Sequence, residues 1–233
     1  MSKQNYYIIE KNIEKIIRGE HTNFLDKNML SKVIAKLKNY QYNLYYPYND
    51  SEKVIIYTNN IPKVRILEII SYDKLTHREI MGSLYNLNIE PELFGDIIIT
   101  NNHYYIIVMD IIYNYLLNNY LYVGKTKIKL KEEDLSILDN YQREYQQLEL
   151  IASSLRIDVV VANITKTSRD NVKKKFLNDE VILNYELCHK TEINLKENDI
   201  FSIRKYGKYL YKGIIKTSKK NNYIIKLYKY IDN

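Results

Sequence analysis

The apolar positions between residues 61 and 131 change period in a regular order. The run VRILEIISY is apolar and β-branched, which favours a buried strand, and THREIMGSLYNL then has apolar residues at helical spacing. Thr76 and Glu79 form the T-x-x-E pattern of a capping box. The pattern therefore predicts a strand followed by a helix that begins at Thr76.

Three further runs complete this part of the chain. A hairpin is predicted for GDIIIT and HYYIIVM, with its turn at Asn101-Asn102. A second helix then ends in NYLLNNYLYVG, and KTKIKL forms the last strand. The predicted order is βαββαβ, the ferredoxin-like pattern. This scaffold is common among RNA-binding proteins and also carries many unrelated functions.

Charge divides the chain into two blocks. Residues 1–150 contain 18 Lys and Arg against 19 Asp and Glu, for a net charge of −1, whereas residues 151–233 contain 17 against 9, for +8. A neutral body with a basic end is expected of a protein that binds phosphate backbones. An anionic membrane surface is the competing partner, and it ranks lower because no amphipathic helix with a bulky apolar face accompanies the lysines.

The polar, acidic segment KEEDLSILDNYQREYQQLEL separates the two blocks. It contains neither Gly nor Pro, so we predict a stiff, helical linker. The predicted fold class is α+β. Its parts are an N-terminal α/β segment over 1–60, the ferredoxin-like domain over 61–131, the linker over 132–150 and an RNA-binding domain over 151–233.

Composition excludes several classes of protein. The most apolar region is interrupted by Asp and Asn, which argues against a membrane span, and the charged N-terminus lacks the features of a secretory signal. Cys188 is the single cysteine and has only His189 beside it, so we expect neither a disulfide nor a metal site. These features predict a cytoplasmic protein without metal or cofactor.

Four residues near the first predicted helix invite a catalytic interpretation: His77, Arg78, Glu79 and Asp96. A structural explanation accounts for most of the pattern, since Glu79 caps the helix, Gly82 permits close packing of helix on sheet, and Gly95 with Asp96 suits the turn into a strand. His77 and Arg78 escape that explanation best. At a helix N-terminus they would face solvent or an anion.

Residues 153–204 resemble the small RNA-binding domain named after ribosomal protein S-four. Its hallmarks are matched here by Arg156-Ile157-Asp158, Ser168-Arg169, the run Val181 to Asn184, and Asn198-Asp199. By propensity alone, IDVVVANI would form a strand. The resemblance implies instead that it is a helix of the αL-type motif, followed by a β-hairpin extension.

The chain is also similar to the YlmH family over most of its length, most weakly from about 27 to 62. The matching segments occur in the family's order: TNFLD, THREIMGSLYNLNIEPELFGDII, SSLRID, FSIRKYGKYLYKG and KTSKK. This resemblance implies a cytosolic bacterial RNA-binding protein attached to the large ribosomal subunit with peptidyl-tRNA in ribosome-associated quality control. It also implies an older link to cell division.

Departures from the family pattern affect particular turns. Asp179-Glu180 replaces a glycine before the Val181 run, and Asn198 replaces the glycine of a Gly-Asp turn, so these turns must reach positive φ without Gly or adopt another geometry. The family's R-G-x-G-R is replaced by the stretch from Arg204 to Lys208. The positive charge is kept there, so phosphate contact is still expected.

The run KTSRDNVKKKF predicts a basic helix. We expect Thr167 and Asp170 to cap it, and Val172 and Phe176, which are four residues apart, to face the core. Arg169 and Lys173 then share an exposed stripe and are the strongest candidates for RNA contact. The helical rotation of 100° per residue prevents all the lysines from contacting one backbone.

The full set of predicted RNA contacts combines the resemblance with the charge pattern, and we expect a monomer that binds ribosomal RNA or tRNA on the large subunit. The predicted contact residues are Arg156, Ser168, Arg169, Lys173, Lys174, Asn184, Arg204, Lys205, Lys208, Lys219, Lys220, His77 and Arg78.

Two other functions remain open from the sequence. One is an RNA-modifying enzyme or its accessory, because the S-four-like domain also occurs with pseudouridine synthases and tyrosyl-tRNA synthetases. The first 150 residues are too short for a synthetase and lack its H-x-G-H, and KTSKK is interpreted more simply as a basic hairpin tip. The other is a cell-division scaffold that binds protein rather than RNA. We expect no catalytic residues.

Overall fold

The computed structural model describes residues 3–218 and 220–231. The chain divides into two compact units, unit 1 up to Arg143 and unit 2 over Glu144–Ile231. Each unit combines α-helices with antiparallel sheets, so the α+β class is confirmed. Within the described ranges, no helix has the length and apolar character needed to cross a membrane.

The described part of unit 1 contains four α-helices and eight strands. The helices are α1 Lys3–Ile17, α2 Lys27–Lys36, α3 His77–Asn86 and α4 Asp110–Asn119. The strands are β1 Asn43–Tyr45, β2 Ile55–Tyr57, β3 Val64–Ile70, β4 Phe94–Thr100, β5 His103–Met109, β6 Tyr122–Val123, β7 Thr126–Lys127 and β8 Lys129–Glu133.

The main sheet of unit 1 has the order β4-β5-β3-β8, and every neighbouring pair is antiparallel. Along the chain, β3, α3, β4, β5, α4 and β8 follow the predicted βαββαβ order, with the small hairpin β6–β7 inserted before β8. The capping box at α3 is confirmed, since Thr76 and Glu79 cap each other's backbone N–H. Asn101 and Asn102 form the predicted turn, both with positive φ.

Both faces of this sheet are covered. On one face, α3 and α4 pack against Leu67, Ile69 and other inward residues of the strands. On the opposite face, Phe24, Tyr48 and Ile55 of the N-terminal segment pack against residues such as Ile66 and Ile107. Side chains alternate between the two faces of a strand, so this segment fills the face that α3 and α4 leave open.

Two glycines of unit 1 have roles that differ from the sequence-based interpretation. Gly82 was expected to allow close helix packing, and this is wrong, because a Cβ there would meet nothing within 4 Å. Gly95 lies within β4, and a Cβ there would come within 3.0 Å of the Phe24 ring and 3.3 Å of Ile107 Cβ. Gly95 therefore permits the N-terminal segment to approach the sheet.

Alanine at the two glycines should have opposite effects on stability. Gly95→Ala should destabilise the protein by about 1–3 kcal/mol, because the added methyl overpacks against Phe24. Gly82→Ala should stabilise it by about 0.5–1 kcal/mol, because the methyl enters open space in the middle of a helix. Urea unfolding of both variants measures this difference, and equal effects would contradict the packing described here.

Among its described residues, unit 2 contains two α-helices and six strands in one sheet. The helices are α5 Ile157–Thr165 and α6 Arg169–Leu177. The strands are β9 Tyr145–Ala152, β10 Val181–Leu183, β11 Glu186–Leu187, β12 Ile200–Ile203, β13 Gly207–Thr217 and β14 Tyr223–Tyr230, in the sheet order β11-β10-β12-β13-β14-β9. The core joins both helices to one face of this sheet, through residues that include Val161, Phe176, Phe201 and Leu227.

The predicted helical linker over 132–150 is wrong. Residues 145–152 form β9, which pairs along its whole length with β14 and so belongs to the sheet of unit 2. The preceding residues contain the end of β8 and a short 3₁₀ turn at Leu135–Leu138. Inward-facing Leu148 and Leu150 pack against the core of unit 2, which gives β9 a period-2 pattern.

Candidate nucleic-acid interface

Helix α5 forms where the family resemblance predicts it, although its sequence IDVVVANIT favours a strand. Packing overrides propensity here, because Ile157, Val160 and Val161 are fully buried in the core of unit 2. The first two N–H groups of the helix, those of Ile157 and Asp158, donate to the carbonyls of Ile193 and Thr191. The segment that contains Thr191 and Ile193 therefore anchors the N-terminus of α5.

Arg156 precedes α5 and is held by acidic neighbours. Its guanidinium donates two hydrogen bonds to Asp158, of 3.1 Å from Nε and 2.8 Å from Nη2, and lies 3.3 Å from Glu192. The hydrogen bonds to Asp158 raise the pKa of Arg156 above its ordinary value. Its charge is therefore compensated within the protein, and Arg156 shapes the surface more than it adds positive charge.

Helix α6 begins one residue later than expected. Ser168, and not Thr167, is the N-cap, and its hydroxyl accepts from the N–H of Asn171. Thr167 instead shares a 2.8 Å hydrogen bond with the hydroxyl of Thr165. Lys166 takes a left-handed conformation with φ of 54°, which ends α5 and lets α6 start within three residues.

A groove of about 440 Å³ lies along α5 and α6, and Arg169 and Lys173 both line it. Val172 and Phe176 are buried in the core beside this stripe of α6, as predicted. Three of the predicted contact residues thus meet in one groove, namely Arg156, Arg169 and Lys173. Its other lining residues are Ser153, Ser154, Asp158, Val159, Ala162, Asn163, Val172, Thr191 and Glu192.

The net positive charge of the groove comes from α6. Asp158 and Glu192 compensate Arg156, whereas Arg169 and Lys173 are exposed and have no acidic partner among residues 3–218 and 220–231. The start of α6 adds partial positive charge, although the Ser168 cap uses one of its N–H groups. The groove can therefore hold an anionic backbone between its two helices.

Lysines 174 and 175 differ in their surroundings. Lys174 is exposed, which leaves it available to solvent or to an anion. Lys175 forms a 2.9 Å ion pair with Glu180 and lies 5.2 Å from the centroid of the Tyr206 ring. Lys175 is thus a structural lysine, since its side chain joins α6 to the turn before β13.

Arg204 and Lys205 form a second basic group in this unit. Both are exposed in the turn between β12 and β13, where Lys205 has a φ of 71°. The Glu180 carboxylate lies within electrostatic reach of this turn, since Lys175 first, and then Arg204 and Lys205, lower its pKa. The positive charge expected from the stretch 204–208 is therefore present, but partly balanced by Glu180.

The two turns that lack the family's glycines reach positive φ without it. Asp179 has a φ of 56° and Asn198 one of 71°. Asn184, a predicted RNA contact, is used inside the protein: its amide donates to Asp199 at 2.9 Å and accepts from the N–H of Ile200 at 3.0 Å. Its side chain therefore fixes the turn after β10.

Lys208 lies on β13, and the predicted hairpin tip connects β13 to β14, so both belong to the sheet of unit 2 and not to helices α5 and α6. Lys208 is partly buried and contacts two tyrosines, with its Nζ 5.1 Å from the ring centroid of Tyr185 and 4.5 Å from that of Tyr230. Strands β13 and β14 form the predicted hairpin, and Lys220 is exposed near its tip. Lys219 lies outside the described residues.

His77 and Arg78 lie in unit 1 at the start of α3. Arg78 is exposed and His77 partly so, but the adjacent Glu79 caps the same helix end. Hydrogen bonds from Thr76 lower the pKa of Glu79, which keeps its carboxylate charged there. That negative charge occupies the place where an anion was expected to bind, so this helix end is a poor phosphate site.

Asp96 is buried and serves as a structural acceptor. Its carboxylate accepts from the Tyr48 hydroxyl at 2.6 Å and from the Glu52 N–H at 2.7 Å, and it lies 3.6 Å from the Arg143 guanidinium. Burial, followed by the nearby Asp96 charge, raises the pKa of Tyr48. These contacts tie the N-terminal segment to β4 and favour the structural interpretation of Asp96.

Sequence reasoning missed Asn163 and the acidic partners of Arg156. Asn163 lines the groove and lies seven residues after Arg156, so it occupies the same helix face. Helical periodicity would have identified it once 157–165 was taken as a helix. Glu192 could not have been found in this way, because it contacts Arg156 from a segment 36 residues further along the chain.

Comparisons with known proteins show similarity over part of the chain. Residues 63–137 match the family model described as a putative RNA-binding domain in YlmH. The chain is also 26% identical, over 132 residues, to the ribosome-associated protein quality control protein P2 of Bacillus subtilis (strain 168), and the match covers 57% of this chain. Residues 63–137 are thus similar to the putative RNA-binding domain of YlmH, and the chain is homologous to YlmH-type proteins.

The coverage of these matches is limited. The match to the Bacillus subtilis protein spans 51% of that relative, about half of its length. Among solved structures, the cell division protein ylmH from Streptococcus pneumoniae is similar, with 17% identity and a TM-score of 0.49, over 60% of this chain and 97% of that one. The residues matched by the family model lie in unit 1, whereas the α5–α6 groove lies in unit 2.

Proposed function

We propose that the protein is a noncatalytic RNA-binding protein that associates with the large ribosomal subunit, through ribosomal RNA and peptidyl-tRNA, in ribosome-associated quality control. The observation that carries this proposal is the α5–α6 groove, in which Arg169 and Lys173 are exposed cations without an acidic partner in the described chain. Such a groove suits a phosphate backbone, because each contact releases condensed counterions.

Unit 2 acts in this proposal as an S-four-like domain. Two short helices joined by a left-handed residue, followed by the tight turn at Asn184, agree with the motifs that suggested the αL-type motif. Ser168 and Asn184 then support the RNA surface by fixing backbone, while Arg169, Lys173, Lys174 and the turn at Arg204 supply charge. Recognition of this kind relies on RNA shape and backbone more than on base sequence.

The ribosomal partner is inferred from the relatives. The Bacillus subtilis relative is named for ribosome-associated quality control, and the family model that matches unit 1 describes an RNA-binding domain. Unit 1 has a βαββαβ order and a sheet order that suit a ferredoxin-like domain, a scaffold on which RNA binding is common. Both units then contribute to one RNA-bound state of the protein.

Cosedimentation of the full chain with purified ribosomal subunits tests the proposal. We expect the protein to travel with the large subunit at low salt and to leave it as salt is raised. Crosslinking in the same fractions should recover ribosomal RNA or tRNA. Cosedimentation with neither subunit, or binding that depends only on a protein partner and resists salt, would favour a scaffold function instead.

A further inference from the structure

A second basic surface lies in unit 1, where two loops meet at one end of the main sheet. Strand β3 ends at Ile70, which pairs with Lys129 at the start of β8. The loop after β3 and the hairpin β6–β7 are joined by a 3.2 Å hydrogen bond from the Thr126 hydroxyl to the Asp73 carboxylate. We call this surface the loop corner; its outward side chains are Tyr72, Lys74, Tyr122, Lys125 and Lys127.

The loop that carries Tyr72 is fixed at several points. The Ser71 hydroxyl donates to the carbonyl of Asp73 and accepts from its N–H, at 2.9 and 3.1 Å. The buried Leu75 follows, and its N–H donates to the Tyr104 hydroxyl. Tyr72 itself has a relative exposure of 106%, the highest of the large hydrophobic side chains described. Its ring therefore adds nothing to the core and is held in solvent by a fixed backbone.

The neighbouring hairpin directs a second aromatic residue outward. Tyr122 and Lys127 are direct cross-strand partners, as are Val123 and Thr126. Paired residues share one face of a hairpin and successive residues alternate, so the buried Val123 places Tyr122 and Lys127 on the outer face. Lys125 is exposed in the turn between the strands.

The charge of the loop corner favours an anionic partner. Lys74, Lys125 and Lys127 are all exposed, and none forms an ion pair within the described ranges. The one acidic side chain of the 71–75 loop, Asp73, accepts the hydrogen bond from Thr126. Because both faces of the main sheet are covered, bases cannot stack on that sheet, and RNA contact by this unit has to use loops and edges.

We infer that the loop corner binds an unpaired nucleotide of RNA. A base stacks on the exposed face of Tyr72, and the flanking phosphates contact Lys74, Lys125 and Lys127. Stacking of this kind tolerates any base, because every base has a π-face. The inference rests on the proposed function and assigns a second contact surface, in unit 1, to the same RNA-bound state.

Full-length variants and two RNAs test the inference. The RNAs are a hairpin with an unpaired loop and a blunt duplex of equal length, and affinity is measured by fluorescence anisotropy. Tyr72→Ala should weaken hairpin binding by about fivefold or more, the loss expected for one stacked base, and leave duplex binding unchanged. Tyr72→Phe should bind like wild type, because the ring is retained. The matched control is Tyr7→Ala, since Tyr7 is 67% exposed on α1.

The outcomes separate this inference from the proposed function. Wild type that binds both RNAs, with Tyr72→Ala indistinguishable from Tyr7→Ala, overturns the loop corner and leaves the proposed function standing. Equal weakening of hairpin and duplex overturns base stacking. A loss of ribosome binding without any loss of RNA binding shows that the loop corner contacts protein. Wild type that binds neither RNA defeats both proposals.

Discussion

Reversing the charge at Arg169 and Lys173 together should strongly weaken RNA binding while the protein stays folded. Both side chains are exposed on α6, whereas Val172 and Phe176 beside them are buried, so each change should alter the free energy of unfolding by no more than about 0.5 kcal/mol. If each residue neutralises one phosphate, the slope of log K against log salt should decrease by roughly 1.4 to 1.8, at about 0.7 to 0.9 per contact.

The control for this experiment has to match the change in net charge. Lys11→Glu with Lys38→Glu removes the same positive charge from exposed positions of unit 1. Lys175 is unsuitable as a control, because its ion pair with Glu180 and its contact with Tyr206 make it part of the fold. An Arg169→Glu, Lys173→Glu protein that binds ribosomes as well as this control, at equal salt, would show that the α6 lysine run is only a solvated surface.

Asp96→Ala should destabilise unit 1 by about 3–5 kcal/mol. The change removes the acceptor of the Tyr48 hydroxyl and the Glu52 N–H, and it removes one of the carboxylate charges near the largely buried Arg143 guanidinium. Glu14→Ala, which breaks only the exposed pair with Arg18, should cost about 0.5 kcal/mol or less. Urea unfolding at neutral pH compares the two variants.

The same variant also tests the absence of catalysis. If the structural interpretation of Asp96 is right, purified wild type incubated with ribosomal RNA leaves the nucleosides unmodified, and so do His77→Ala and Asp96→Ala. Mass spectrometry of the digested RNA is the measurement. A modification made by wild type and lost in either variant would contradict a noncatalytic function, provided that the variant remains folded at the assay temperature.

Local signals in the sequence predicted the elements of the βαββαβ segment and helix α6. The capping box at Thr76 and Glu79 and the turn at Asn101 are short patterns whose bonding partners lie within a few residues, so the sequence contains all the information. The burial of Val172 and Phe176 followed from helical periodicity in the same way. Helix α5 required the family resemblance, because its β-branched residues favour a strand until packing is considered.

Elements with distant partners were harder to predict. Strand β9 has a period of two in Leu148 and Leu150, but its polar outer face resembled a solvated linker, and its partner β14 begins at Tyr223. In the N-terminal segment that covers the main sheet, Phe24 and Tyr48 lie outside the regular helices and strands. The role of Gly95 depends on that segment, so it could not be inferred from the turn pattern.

The sequence predicted the positive charge of the candidate interface, but not which charged side chains are compensated by partners within the protein. Arg169 and Lys173 were placed on one stripe of α6, and the structure brings both into the groove with Arg156. The acids that compensate Arg156 and the internal bonds of Asn184 arise from chain segments that meet only in the fold. Charge counts along a sequence cannot separate a compensated arginine from an available one.

The central claim is that this protein binds the phosphate backbone of ribosomal RNA, and the salt dependence of the wild-type affinity tests it most directly. The affinity of the full chain for the large subunit is measured between about 50 and 200 mM salt. A log K that falls linearly with log salt, and less steeply in the Arg169→Glu, Lys173→Glu protein, is the predicted result. An affinity that stays constant over this range would contradict the claim.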